Sequence, residues 1–204
     1  DKDANAGDAE RGHLILLCKN NEGYKNLTKL VSLGFIEGFY YKPRIDKEIL
    51  RKYSNGLIGL SACLAGEIPR AIIENNYDKA CELAIEYNEI FGQGNFFLEM
   101  QSNGIDEQVL VNQGIVRLAR ELNIPLVATN DAHYLTKDDY YSHEVLLCIQ
   151  TGKKMSDTDR LSFSTNEFYL KSAEEMQDRF KNFPEAIENT LKIADMCNVE
   201  FEFG

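Results

Sequence analysis

Asp131 and His133 carry the strongest chemical signal in the chain. They stand in the run Thr129-Asn130-Asp131-Ala132-His133-Tyr134, directly after the apolar stretch Leu126-Val127-Ala128. That stretch follows Pro125 and a long helical pattern, and it holds a β-branched valine, so it reads as a buried strand after a helix. Residues at i and i+2 of an extended segment point to one face. A carboxylate and an imidazole placed this way can aim at one point, at the strand end where barrel enzymes gather their catalytic groups. An oxygen donor beside a nitrogen donor suits zinc, manganese or iron. The competing reading is local: an Asp and a His after a strand can instead cap the next helix or bond to the loop backbone.

Other strand ends add to this pair. His13 opens the apolar run His13–Cys18, and Cys63 follows the run Leu57–Leu60 in Ser61-Ala62-Cys63-Leu64-Ala65-Gly66. His13, Cys63, Asp131 and His133 together supply ordinary metal-ligand types. Each also has a structural explanation, a packed thiol or a satisfied core imidazole. Glu99 ends the strand Phe96-Phe97-Leu98; it can orient a ligand histidine or bond to strand backbone. His143, beside Glu144 on a helix, reads as structural. Lys42 and Arg44 lie in Tyr40-Tyr41-Lys42-Pro43-Arg44. Aromatics beside cations can stack bases and hold phosphates; a loop with its aromatics packed beneath it is the alternative.

The elements that must position these groups mostly alternate. Buried strands are expected at His13–Cys18, Leu57–Ser61, Phe96–Met100 and Leu126–Ala128. Helices are expected from about Tyr24 to Phe35 (Leu27, Leu30 and Val31 inward), from an Asp46 cap to Tyr53, from Glu67 to Glu74 and from Tyr77 to Phe91. A strongly amphipathic helix follows from Glu107 to Leu122, with Leu110, Val111, Ile115, Leu118 and Ala119 inward. Beyond Tyr134 the rhythm changes. Capping boxes at Thr136–Asp139 and Ser172–Glu175 open helices to about Gln150 and Phe180, and Pro184 suits the first turn of a last helix to about Cys197. Phe168–Leu170 and Val199–Phe203 read as short strands. Alternating strands and helices imply a parallel sheet covered by helices, as part of a barrel or of an open sheet.

Composition bounds the function. The chain has 204 residues, 44% hydrophobic and 27% charged, enough for one sizeable globular domain. A net charge of −11 argues against broad non-specific DNA affinity. A carboxylate-rich pocket could still meet phosphate through bound cations. Five scattered cysteines with no CxxC pair indicate reduced thiols. No run is long enough to span a membrane, and Asp1–Arg11 is polar, without a signal-peptide core. The expected location is the cytoplasm, with no membrane partner. The loop-like start at Asp1–Asp8 and the abrupt alternating end at Val199–Gly204 suggest an excised piece.

Several ordered blocks resemble one family. They are His13-Leu14-Ile15-Leu16-Leu17, Gly23-Tyr24-Lys25-Asn26-Leu27, Tyr40–Arg44, Gly59–Glu67, Ala128–Tyr134 and Leu147–Gly152. The chain resembles the N-terminal PHP (polymerase and histidinol phosphatase) domain of bacterial DNA polymerase III alpha subunits across nearly its whole length. The resemblance implies an α/β fold, a distorted (βα)7 TIM-like barrel (PHP fold), incomplete here at its N-terminus. It implies a PHP barrel portion over residues 1–170, then C-terminal helices and a strand over 171–204 leading toward a polymerase palm. His13, Cys63, Asp131 and His133 match the later metal ligands of the family. The earlier ones, from a His-x-His element and following Asp, His and Glu positions, are not matched. A divalent metal (Zn or Mn, or else Fe or Mg) is implied for an intact domain and a partial site for this chain. The implied function is a 3′–5′ exonuclease-type phosphoesterase beside the core of a DNA-directed DNA polymerase, whose active site is not in these residues. The implied partners are DNA and other polymerase III holoenzyme subunits. A scaffold that docks such subunits and a stand-alone PHP phosphatase are the alternatives.

Overall fold

The structure is a computed structural model that describes residues 11–204; the start expected as a loop at Asp1–Asp8 lies outside the described residues. Four short strands form one sheet: β1 (Ile15–Cys18), β2 (Leu57–Leu60), β3 (Phe96–Met100) and β4 (Leu126–Ala128), in the order β1-β2-β3-β4. β2, β3 and β4 run parallel, as helical crossovers require. β1 runs antiparallel to β2, with Ile15 opposite Leu60 and Cys18 opposite Leu57, which corrects the expectation of a wholly parallel sheet.

The connection from β1 to β2 explains the reversal. It contains two helical passes, α1 (Asn21–Ile36) and α2 (Lys47–Lys52). α1 leaves the Cys18 end of the sheet with Gly23 against Gly56, where an added Cβ would stand 1.8 Å from the Gly56 carbonyl oxygen. α2 starts at the other end, where Lys47 Nζ lies 2.8 Å from Glu67 Oε2. Two opposed passes return the chain to the end it left. β1 is also an edge strand and only half-buried, with Ile15 40% exposed, rather than the buried strand its apolar run suggests.

The remaining helices are α3 (Glu67–Ile73), α4 (Tyr77–Phe91), α5 (Asp106–Leu122), α6 (Tyr140–Thr151), α7 (Ala173–Arg179) and α8 (Pro184–Met196). Local chemistry fixes their ends. Asn20, Asp46 and Asn76 accept from backbone N–H groups of the first turns of α1, α2 and α4. Both expected capping boxes form: Ser172 with Glu175 opens α7, and Thr136 with Asp139 opens a single 3-10 turn that leads into α6.

Strand alternation divides the core. Leu57, Phe96, Leu98, Met100, Leu126 and Ala128 pack with α1 to α5 through residues such as Leu30, Ala84 and Ile115. On the other face Ile58, Leu60, Phe97 and Val127 meet Ile193 of α8. α8 passes the edge of β4 to reach that face, and there Asn189 Nδ2 donates to the Leu126 carbonyl at 2.7 Å. Val31 and Leu110, expected inward, are exposed. On α5 the spacing Val111, Ile115, Leu118 turns Leu110 away from the sheet.

Two expected strands are not ladders. Phe168–Leu170 contributes one isolated bridge, between Tyr134 and Tyr169. Val199–Phe203 has no strand to pair with among the described residues. The Asn21 side-chain amide takes both backbone groups of Glu200, each at 2.8 Å, and Phe201 packs edge-on against Tyr24 at 5.1 Å. Among the described residues the sheet does not close, and no helix is long and apolar enough to cross a membrane.

Candidate metal centre

Strand direction brings the four candidate donors to one end of the sheet. Cys63 follows β2, and Asp131 and His133 follow β4, its parallel companion. Because β1 is reversed, His13, just before it, stands at the same end, with its N–H donating to the Ala65 carbonyl at 3.0 Å. The loops that make this approach hold unusual backbone. Ala62, next to Cys63, has φ 64° and Asp131 has φ 48°, a left-handed conformation that costs a non-glycine residue about 1 kcal/mol.

Within that mouth the donors form two pairs. Cys63 Sγ lies 3.6 Å from His13 Nδ1, and His133 Nε2 lies 3.5 Å from Asp131 Oδ1. Among the described residues, no three His, Cys, Asp and Glu side chains stand close enough to hold an ion.

Glu99 lies between the pairs electrostatically. It is in the middle of β3, 4% exposed, and its N–H donates to Ser61 Oγ at 2.8 Å. Its Oε1 accepts from Thr129 Oγ1 and, at 3.2 Å, from Gln101 Nε2. Its Oε2 is buried with no partner among the described residues. Burial pushes the Glu99 carboxyl above the usual range against the hydrogen bonds of Thr129 and Gln101, and the charge of Asp131 adds to the rise. Burial also pushes the Cys63 thiol up, and Asp131 and Glu99 add to it. The field of Asp131 therefore reaches both groups.

His133 is walled by rings: Phe163 at 4.9 Å, Phe168 at 5.4 Å and His143 at 5.9 Å. Its backbone N–H donates to the Phe168 carbonyl at 2.7 Å. His143 stacks on Phe163 at 5.0 Å and keeps Nδ1 buried with no partner among the described residues; burial and then His133 lower its pKa. Glu144, one residue on, anchors the wall. Its side chain is 2% exposed, pairs with Arg160 and accepts the Phe163 N–H at 3.2 Å. Sequence reasoning missed this anchor. The available signal was a lone carboxylate three and four residues before Leu147 and Cys148, on the helix face that they bury.

Among the described residues no hydrogen bond or ion pair joins Lys42 or Arg44 to these donors. The Arg44 guanidinium lies 5.1 Å from the Tyr40 ring centre, and Tyr41 is largely exposed beside it.

Residues 3–103 match the PHP domain family. The chain carries a PHP domain. A DNA polymerase III alpha subunit of Borreliella burgdorferi is 50% identical over 186 residues, 91% of this chain and 16% of its own length. Alpha subunits of Treponema pallidum and Thermus aquaticus are 48% and 45% identical over 92% and 94% of this chain, and again over 16% of their own lengths. The PHP domain described here thus spans a minor part of these relatives. Alignments this extensive favour the polymerase-type PHP domain over the stand-alone phosphatase. The family match contains His13, Cys63 and Glu99, and any alignment over 91% of the chain also spans Asp131 and His133.

Proposed function

We propose that this PHP domain is the metal-dependent phosphoesterase part of a replicative DNA polymerase alpha subunit, acting as a 3′–5′ exonuclease where its ligand set is whole. One observation carries the reading: imidazole, thiol and carboxylate donors from three strand ends share one mouth, beside a buried carboxylate oxygen that no described residue satisfies. Nitrogen and oxygen donors suit Zn, Mn or Fe, and the thiol favours Zn over the harder Mn and Mg. His13, Cys63, Asp131 and His133 would hold a divalent ion once the two pairs close on one point, and Glu99 would neutralise or orient the set from β3. Such an ion, when bound, supplies phosphate charge neutralisation and an acidified water. The chain's own residues do the rest. Thr129 and Gln101 fix Glu99. The Phe163–Phe168 wall limits the orientations open to His133.

The wider reading follows from the relatives. Their shared name supports a DNA-directed DNA polymerase as the parent, with DNA and holoenzyme subunits as partners and the cytoplasm as location. The four-stranded sheet reads as an arc of a distorted (βα)7 barrel, and residues 171–204 as the passage toward the palm. The loop of Lys42 and Arg44 leaves the end of α1 and leads to Lys47, which meets Glu67 at the donor end of the sheet. That placement supports a phosphate contact near the mouth.

A second reading, a scaffold for the polymerase and its partner subunits, is favoured by the division of the donors into two pairs. The test is His133→Ala in the intact parent. Exonuclease activity on a mismatched primer end should vanish while primer extension remains measurable, with any loss of extension following a lowered Tm. Undiminished exonuclease activity, or a parent with none, leaves the scaffold.

A further inference from the structure

We infer a phosphate-binding pocket at the end of the sheet opposite the candidate metal centre. A cleft of about 360 Å³ opens where β1 ends and where β2 and β3 begin. Three cations line it, Lys19, Arg51 and Lys52, against one carboxylate, Glu89. In a chain of net charge −11, that local excess is opposite in sign to its surroundings. Clefts of this size accommodate small ligands.

The partners of the cations decide the argument. Arg51 is partly neutralised, with Nη2 3.4 Å from Glu86 Oε1. Lys19 is half-buried, and its Nζ donates to a neutral acceptor, Asn95 Oδ1, at 3.1 Å. Lys52 stands over the Tyr53 ring at 5.5 Å. Among the described residues neither lysine has a carboxylate partner. Lys19 is also held by its backbone. Its N–H donates to the Gly56 carbonyl at 2.8 Å, and its own carbonyl accepts from Asn198 at 2.9 Å. Its ammonium is therefore carried by a fixed stem into the cleft.

Asn20, which caps α1, lines the same cleft. The positive end of a 16-residue helix thus adds to the lysines. Glu22 in that first turn is engaged by the Asn55 amide at 2.7 Å. Arg51 and Lys52 also complement the C-terminal end of α2, which accounts for their presence but not for Lys19. Two ammonium groups free of carboxylates among the described residues, lining one cleft beside a helix N-terminus, form a site for a phosphoryl group, either free phosphate or a backbone phosphate of a nucleic acid.

The test compares the 204-residue chain with its Lys19→Gln/Lys52→Gln double variant. Orthophosphate binding is read by calorimetry, and binding of a fluorescein-labelled single-stranded DNA by polarisation across a salt series. The wild type should bind at least one probe, and the double variant about tenfold more weakly, with an unchanged melting curve. For DNA the salt slope should fall by about 1 for each lysine that no longer meets a backbone phosphate. Orthophosphate binding alone assigns the pocket to the free ion; DNA binding abolished in the double variant assigns it to backbone phosphate. Glu89→Gln should tighten whichever probe binds. Wild type binding neither probe at low salt, or a double variant with wild-type affinity for both, overturns the inference.

Discussion

Glu144 is the most enclosed charge among the described residues, and its neighbours predict what its loss would do. Glu144→Ala leaves the Arg160 guanidinium and the Phe163 N–H without their acceptor. Losing both contacts should be read as a lower urea midpoint. The same variant should release Phe163 from His133, visible as a changed His133 ring resonance in NMR. At this scale the sequence was partly legible. That Asp131, His133, Cys63 and His13 stand at strand ends could be read from the apolar runs beside them. Their division into two pairs could not, nor could the tie from Thr129 to Glu99 across 30 residues or from Arg160 to Glu144 across 16. Those contacts depend on which loops the sheet brings together, and local periodicity carries no record of that.

Among elements, helices were the most legible, since their faces repeat with the helical period and their caps are single side chains. Asp46, Ser172 and Pro184 stand where their chemistry requires. Strand direction was not legible. The reversal of β1 depends on α1 and α2 passing in opposite directions, and the tail at Val199–Phe203 is taken by Asn21 rather than by another strand. The close approach of α1 to the turn before β2 yields a sharp prediction. Gly23→Ala would place a methyl group 1.8 Å from a backbone oxygen that no rotamer can move. The helix must shift, at a cost of about 3 kcal/mol, measured by denaturant unfolding. Gly152→Ala, with open space around it and φ of 67°, should lose only about 1 kcal/mol.

The whole molecule is tied by carboxylates that serve several elements at once, and this sets its response to acid. Burial opposes ionisation of Glu67, but hydrogen bonds from Lys47 and Tyr87 outweigh it and hold the carboxyl below its ordinary value. At Glu167, burial is likewise outweighed, by Lys137 and Arg179. Both groups bind protons less readily in the folded chain than in the unfolded one. Their contribution is therefore present above the unfolded value of about 4.3 and is lost as pH falls through the lower folded values. Thermal melts below about pH 4.3 should show a falling Tm. A Glu67→Gln/Glu167→Gln double variant should start from a lower Tm near neutrality and lose less of it over that interval.

The amide of Asn189 on the Leu126 carbonyl has a consequence for behaviour in concentrated solution. β4 is the last strand of its sheet, and an uncovered last strand is a template on which a second molecule can grow a ladder. α8 lies along that border and fills its outward acceptor with a side chain, so a neighbouring molecule finds no continuous row of backbone groups there. The helix that joins the two faces of the core thereby also guards the chain against fibrous self-association.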